Sequence, residues 1–165
     1  MDRNAMRRLA QPAVRVEVIG SEALGRGDSL RLELRPFLGS VADLSYAQMG
    51  SWTGSVYHAA RRRDGGEIVG LLWTEISGAR VEFVRVQVGA QHRRQGICGA
   101  LLDSGIRDAV RRPGVESILI DTTSDVKRYM INALERLKDG GVIRDYTKEK
   151  KEDDGEVLFG IMRLD

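Results

Sequence analysis

Hydrophobic and polar residues alternate over the first half of the chain, and such a period of two is typical of half-buried strands. The runs rich in Val, Ile, Leu and Trp predict four strands, at residues 14–19, 55–61, 67–76 and 80–88. Asp64-Gly65-Gly66 and Ser77-Gly78 separate the last three runs and are typical of hairpin turns. The pattern therefore predicts an antiparallel meander.

After the meander the apolar spacing changes to about 3.6 residues, which indicates helices packed along one face. The predicted elements are a helix from near Gly96 to Pro113-Gly114, a strand at residues 115–120, a helix from Val126 to Gly140-Gly141, and a last strand at residues 157–164. Each helix ends at a glycine, as helices in proteins commonly do.

Two stretches give weaker patterns. Between the first two strands, Gly25, Gly27 and Gly39 argue against long elements, and residues 41–49 predict a helix. Residues 148–154 mix basic and acidic side chains, so a surface loop is expected there.

Together these elements predict an α/β fold with a mixed, mostly antiparallel central sheet flanked by helices. The 165 residues, 42% of them hydrophobic, suffice for one core but not for two full domains. We therefore expect a single domain over residues 14–165, preceded by a basic N-terminal extension at residues 1–13.

The composition argues against several classes of function. A formal net charge of +2 and 5% aromatic residues, none of them within the basic clusters, argue against nucleic-acid binding. One cysteine and two histidines form no disulfide framework and no zinc site, so no metal is expected. No apolar run reaches about 18 residues and no signal-like segment occurs, so we expect a soluble, cytoplasmic protein without membrane contact.

The stretch HRRQGICGALL, residues 92–102, joins the strand ending at Val88 to the helix that begins near Gly96. A helix start exposes unpaired backbone N–H groups and a partial positive charge, so it attracts anions. Glycine lets a phosphate approach the backbone, and Arg93 and Arg94 add positive charge. The stretch therefore predicts a phosphate or pyrophosphate site at the amides from Gly96 to Gly99.

Other interpretations of this stretch compete. Gly-x-x-Gly alone is equally compatible with a tight turn that carries solvated arginines. In a dinucleotide-binding fold, Asp121, twenty-two residues after Gly99, would bind a ribose. However, Gln95 and Cys98 stand where further glycines belong, and the preceding strands are antiparallel. A Walker A loop is excluded because no Gly-Lys-Ser/Thr occurs.

Strand and turn together, VRVQVGAQHRRQGICGALL at residues 84–102, resemble the acetyl-coenzyme A (acetyl-CoA) signature of the GCN5-related N-acetyltransferase (GNAT) family. The order of elements over residues 14–164 is also similar to the acyl-CoA N-acyltransferase fold of that family. The resemblance implies that strand backbone pairs with the pantetheine arm and that turn amides hold the pyrophosphate. The implied acetyl-CoA-binding residues are Val86, Gln87, Val88, Arg93, Arg94, Gln95, Gly96, Ile97, Cys98 and Gly99.

Two residues depart from the signature. Cys98 replaces a small glycine or alanine, and Ala90 replaces a proline common in the link. Cys98 lies on the apolar stripe of the predicted helix, so we interpret its thiol as a packing group and not as a nucleophile.

The resemblance implies an N-acetyltransferase in which an amine attacks the acetyl thioester directly. An amine is protonated near neutral pH, so a base is needed to free its lone pair. Glu82 is the candidate, because it lies eleven residues before Arg93, the spacing of the glutamate base in histone-acetylating members. A solvent-facing strand residue is an equally good interpretation of Glu82, and Glu75 on the neighbouring strand is a weaker candidate base.

The proton donor to the leaving thiolate is harder to identify. The family often places a tyrosine four residues before a Gly-aromatic pair, but Leu137 occupies that position here, and Met130 stands where an asparagine is common. Tyr129 is the remaining candidate acid, although its position on the apolar stripe also fits a half-buried core ring. Ser124 lies nearby in sequence. The missing tyrosine keeps open a non-catalytic acyl-CoA-binding sensor of the same fold.

The acceptor amine is not identified by the sequence. By resemblance the amine enters beside residues 21–55, where acidic and basic side chains are mixed. A small-molecule amine and a protein amine both remain open, and a homodimer is compatible with the sequence.

Overall fold

The computed structural model describes residues 14–20, 23, 28–38, 54–121, 124–150 and 155–164. In chain order the elements are β1 Val14–Gly20, α1 Asp28–Leu38, β2 Ser55–Arg62, β3 Ile68–Ser77, β4 Arg80–Val88, α2 Ile97–Arg111, β5 Ser117–Asp121, α3 Ser124–Asp139, β6 Asp145–Lys150 and β7 Glu156–Met162. A short 3₁₀ turn at Ala90–His92 lies between β4 and α2.

The seven strands form one sheet in the order β1-β2-β3-β4-β5-β7-β6. Strands β2 to β4 are the predicted meander, and β1, predicted as a separate strand, pairs antiparallel with β2. Among the strands that the structure describes, only β4 and β5 are parallel neighbours, because α2 carries the chain back across the sheet between them. The mixed, mostly antiparallel sheet flanked by helices is therefore confirmed.

Side-chain alternation along the strands gives the sheet two buried faces. Leu72 and Phe83 belong to the larger cluster, which packs against α2 and α3. Leu71 and Trp73 point the opposite way and pack with Leu34 and the rest of α1. Because consecutive strand residues serve different cores, β2 and β3 are almost continuously buried.

The prediction that glycines prevent long elements after β1 was wrong for α1, which has eleven residues. Its apolar residues Leu30, Leu34, Phe37 and Leu38 follow a helical spacing and pack on the sheet. Gly25, Gly27 and Gly39 flank this helix in the sequence and do not interrupt it. The helix predicted at residues 41–49 lies outside the described residues.

The surface loop predicted at residues 148–154 was wrong for its first part, since residues 148–150 belong to β6. That strand pairs only with β7 among the described residues, so its exposed side chains are charged without cost to a core. Residues 151–154 lie outside the described part.

One buried polar contact joins the sheet to α2. The His58 side chain is fully buried, and its Nδ1 lies 2.8 Å from the Ser104 hydroxyl oxygen. The pKa of His58 is lowered to about 4, mainly by burial; the nearby Asp108 carboxylate raises it and Arg112 lowers it. The imidazole is therefore neutral in the folded protein near neutral pH.

We expect the free energy of unfolding to fall by about 3 kcal/mol as the pH drops from 6.5 to 4 because of His58 alone. The unfolded chain binds this proton near pH 6.5, whereas the folded chain binds it only near pH 4. Stability is thus complete above 6.5 and lost toward 4. The free energy of unfolding, measured by urea at each pH in this range, should depend less steeply on pH for His58→Gln than for the native protein. An equal dependence on pH in both proteins would contradict the assignment.

Candidate functional site

The sheet splits between its two parallel strands. Strand β4 pairs with β5 only from Arg80 to Phe83, opposite residues 117–120. From Val84 to Val88 the β5-facing edge of β4 has no strand partner in the part of the chain that the structure describes. Backbone N–H and C=O groups on such an edge are free to bond an extended ligand.

A β-bulge in β4 marks the start of the split. Trp73 of β3 pairs with Arg85 and Thr74 pairs with Phe83, so Val84 has no residue opposite it. A bulge bends its strand and increases the local twist, which turns the end of β4 away from β5.

A cavity of about 270 Å³ opens at this split. Its lining comes from β3, β4, α2, β5 and α3, and is mostly apolar: Leu72, Phe83, Val84, Arg85, Val86, Leu102, Ile120 and Val126. Of the strand residues assigned to acetyl-CoA binding, Val86 lines this cavity, whereas Gln87 and Val88 continue along the open edge. The cavity thus combines an apolar wall with an unpaired backbone edge.

The turn between β4 and α2 contains two residues with left-handed backbone. Arg94 has φ of 63° and Gly96 has φ of 78°. Glycine adopts this conformation freely, but for arginine it is uncommon, and such residues concentrate at ligand sites. The N–H of Ala100 bonds to the Gly96 carbonyl at 3.1 Å as the helix begins. The N–H groups of residues 97–99 precede that first bond.

The surroundings of these amides favour an anion. Arg93, Arg94 and Gln95 are exposed beside the turn, whereas Ile97 is buried and anchors the helix start in the core. A Cβ built on Gly96 would meet nothing within 4 Å, so space above the backbone is open. Free amides, a positive helix end and two arginines suit a pyrophosphate.

Cys98 behaves as a packing group. Its side chain is partly buried against the larger core, and burial raises the pKa of its thiol. A raised pKa keeps the sulfur protonated and therefore weakly nucleophilic.

Tyr129 lies at the seam between α3 and α2. A Cβ at Gly99 would be 3.0 Å from the tyrosine hydroxyl oxygen, so the ring sits directly on the first turn of α2. The Arg136 guanidinium stacks over the ring at 5.6 Å and bonds Asp103 at 3.3 Å. Burial and the Asp103 carboxylate raise the pKa of Tyr129, so the phenol keeps its proton. Tyr129 does not line the cavity at the split, and its role as an acid stays a prediction.

Glu82 occupies a second cavity, also of about 270 Å³. It stands directly opposite Glu75 of β3, and both line this cavity together with Gly54, Ser55, Ile76 and Ser77. None of the described residues that line it is an arginine or a lysine. Two carboxylates on neighbouring strands, without a cation in the lining, favour a positively charged ligand.

The bulge was not predicted from the sequence, although its signal is present there. Apolar residues alternate at Val81 and Phe83, and then again at Val84, Val86 and Val88. The adjacent pair Phe83-Val84 shifts the phase by one residue, which is what one extra residue in a strand produces. Two consecutive apolar residues inside an alternating strand therefore located the split.

The described ranges contain no cluster of three or more His, Cys, Asp or Glu residues arranged to hold a metal ion. Nor do these ranges hold a helix long and apolar enough to cross a membrane.

Comparison with known proteins identifies the family. The model of the acetyltransferase (GNAT) family matches residues 28–138, more than half of the chain. A search of curated protein sequences finds no match.

Solved structures share the fold at low sequence identity. The chain resembles Tetrahymena GCN5 at 11% identity and a TM-score of 0.56, with 90% of this chain and 96% of that one covered. YhbS, a GNAT family N-acetyltransferase from Escherichia coli solved with CoA, shows 14% identity and a TM-score of 0.57, with 94% of this chain and 83% of that one covered. Arabidopsis thaliana NAA60, solved with a bisubstrate analogue, shows 16% identity and a TM-score of 0.51, with 90% of this chain and 98% of that one covered.

Proposed function

This chain belongs to the GNAT family of acetyltransferases, and we propose that it transfers an acetyl group from acetyl-CoA to a primary amine. The observation that carries the proposal is the split between β4 and β5, which opens beside an amide-lined, arginine-flanked helix start. Acetyl-CoA would supply an activated thioester at this place. The amine nitrogen bonds to the acetyl carbon, the carbon–sulfur bond breaks, and the thiolate takes up a proton.

The residues present fit acetyl-CoA in two parts. The open edge from Val84 to Val88 would bond the pantetheine arm, with Val86 and the apolar cavity wall against it. The amides of residues 97–99, together with Arg93 and Arg94, would hold the pyrophosphate. Bound CoA in the E. coli relative of this fold supports the same choice of ligand.

Glu82 is proposed as the base that takes a proton from the amine, directly or through a water. It lies two residues before the bulge at Val84, so it is close in the strand to the proposed thioester site. Glu75 directly opposite adds a second carboxylate, which would hold a cationic acceptor near Glu82. We therefore propose that the acceptor is a cationic amine.

A second candidate function is an acyl-CoA-binding sensor. Leu137, at the position of the usual tyrosine acid, is 6% exposed and belongs to the core. A core leucine cannot donate a proton, which favours the sensor. Catalysis would need Tyr129 as the acid instead, and the protonated phenol of Tyr129, which lies at the start of α2, supports that role.

Release of free thiol from acetyl-CoA distinguishes these two functions. Three pools of amines would be incubated with the protein and acetyl-CoA: amines that carry a further positive charge, amines with no further charge, and amines that also carry a carboxylate. We expect acceptor-dependent thiol release above all with the pool that carries the further positive charge. Release that favours neutral or acidic amines would contradict the acidic acceptor cavity. Binding of acetyl-CoA without release in any pool would favour the sensor.

A further inference from the structure

Strand β1 forms one edge of the sheet. It pairs with β2 along its whole length, and among the described residues no strand covers its other edge. The Val14 carbonyl accepts a bond from Arg63 Nε at 3.3 Å. The remaining N–H and C=O groups of an open edge are unpaired, and another strand can be added to them. Val18 near the middle of β1 is 51% exposed, so this edge also presents an apolar side chain.

The sequence of β1 is complementary to itself. Val14-Arg15-Val16-Glu17-Val18 reads as a charge palindrome centred on Val16. If a second copy added antiparallel around a twofold axis at Val16, Arg15 would face Glu17 of that copy and Val14 would face Val18. Moving the axis to Arg15 or Glu17 would place each of those residues opposite itself, so charge selects one register.

The two faces of the sheet agree with this register. Arg15 lies opposite Arg61 of β2 and Glu17 opposite Ala59, on the face that α1 covers. The valines occupy the other face, where Val14 joins the α2 side of the core and Val16 packs against it. Residues directly opposite in antiparallel strands share a face, so each charged and each apolar pair would form on its own side.

Within one copy, Glu17 shares its arginine partner with Glu33. Arg61 bonds Glu17 at 2.5 Å and Glu33 at 2.6 Å, so one guanidinium serves two carboxylates. Arg15 stands directly opposite Arg61, where like charges disfavour its approach to its own chain. Arg15 of a second copy, opposite Glu17, would give that carboxylate a second cationic partner.

The other edge of the sheet lacks this complementarity. Strand β6 carries Lys148, Glu149 and Lys150, all exposed. In an antiparallel pairing of two β6 strands centred on Lys148, that lysine would face its own copy. In a pairing centred on Glu149, Lys148 would face Lys150 of the other copy. Both registers place like charges opposite one another, which disfavours pairing at this edge.

We propose that two copies of this chain associate edge to edge through β1, antiparallel and centred on Val16, so that their sheets become one. A contact limited to one seven-residue edge is small, so the dimer is weak, with a Kd of about 10–100 µM. Self-association should therefore depend on concentration and reverse on dilution.

Charge reversal tests the register. Analytical ultracentrifugation of the full chain at about 200 µM should show a reversible dimer, at several times the expected Kd. Arg15→Glu and Glu17→Arg should each remain monomeric, because each places like charges opposite one another twice. An equimolar mixture of the two variants should form a heterodimer, since both contacts are then attractive.

Controls separate the interface from folding. Arg15→Glu places a carboxylate opposite Arg61 of its own chain, so the monomer should keep its melting temperature. Glu17→Arg loses its bond to Arg61, which changes the monomer as well as the interface. Val18→Lys is the alternative variant, because Val18 is exposed in the monomer. This substitution should weaken the dimer about tenfold. A native chain that is monomeric at 200 µM, or a dimer that Arg15→Glu and Val18→Lys leave intact, overturns the proposal.

Discussion

Replacing Glu82 by Gln is expected to lower turnover by about 10²–10⁴-fold while acetyl-CoA affinity stays nearly unchanged. Glutamine keeps the shape of the side chain but cannot take a proton. The loss should shrink at high pH, because an amine already deprotonated in solution needs no base. The limb of the native pH–rate profile that reports the base should be replaced in the variant by a rise at higher pH, where the free amine forms.

Two glutamate controls sharpen this test. Glu116→Gln changes an exposed carboxylate just before β5 and should leave turnover unaltered. Glu75→Gln changes the residue opposite Glu82 and should raise the KM for the acceptor more than it lowers kcat, since Glu75 is proposed to bind the acceptor. Native turnover and a native pH profile in Glu82→Gln would show that the base lies elsewhere.

Gly96→Glu is expected to abolish acetyl-CoA binding. The new side chain would place bulk and negative charge where the pyrophosphate is proposed to lie, next to the amides of residues 97–99. For the native protein, ligand at about 100 times its Kd adds about 2.7 kcal/mol of stability, or about 5–10 °C in melting temperature. The variant should show no such shift at millimolar acetyl-CoA.

Gly114→Glu is the matched control for backbone strain. Gly114 follows α2, has φ of 81° and, like Gly96, has open space around its Cβ position. Both variants therefore force a side chain onto a left-handed backbone, and both should lose similar stability. Only Gly96→Glu should lose the ligand-induced shift. Retention of the shift in Gly96→Glu would place the phosphate site away from this turn.

The sheet was predictable because its apolar runs had to be strands and its turns were short. The first strand, the three strands of the meander, the helix and strand that follow them, and the last strand all follow from periodicity and glycine positions. The turn at Gly96 was also predictable, because the arginine pair, the glycine and the start of the helix are neighbours in the sequence and need no tertiary contact to be recognised. The bounds of α2 and α3 were close to those predicted.

The missed features depend on tertiary pairing. Strand β6 is polar and is held by β7, so its own residues show little strand pattern. The cavity shared by Glu75 and Glu82 exists because β3 and β4 pair in one register, and sequence spacing alone does not fix that register. Helix α1 was hidden by flanking glycines, although its apolar spacing was visible.

The proposal that the split sheet and the turn hold acetyl-CoA is tested most directly by NMR. Backbone amide signals of the ¹⁵N-labelled protein would be followed while acetyl-CoA is added. The account predicts the largest changes at residues 84–88, along the open edge of β4, and at residues 96–99, at the start of α2, with neither set changing in Gly96→Glu. Changes that fall elsewhere in the native protein, or no changes at millimolar ligand, would contradict it.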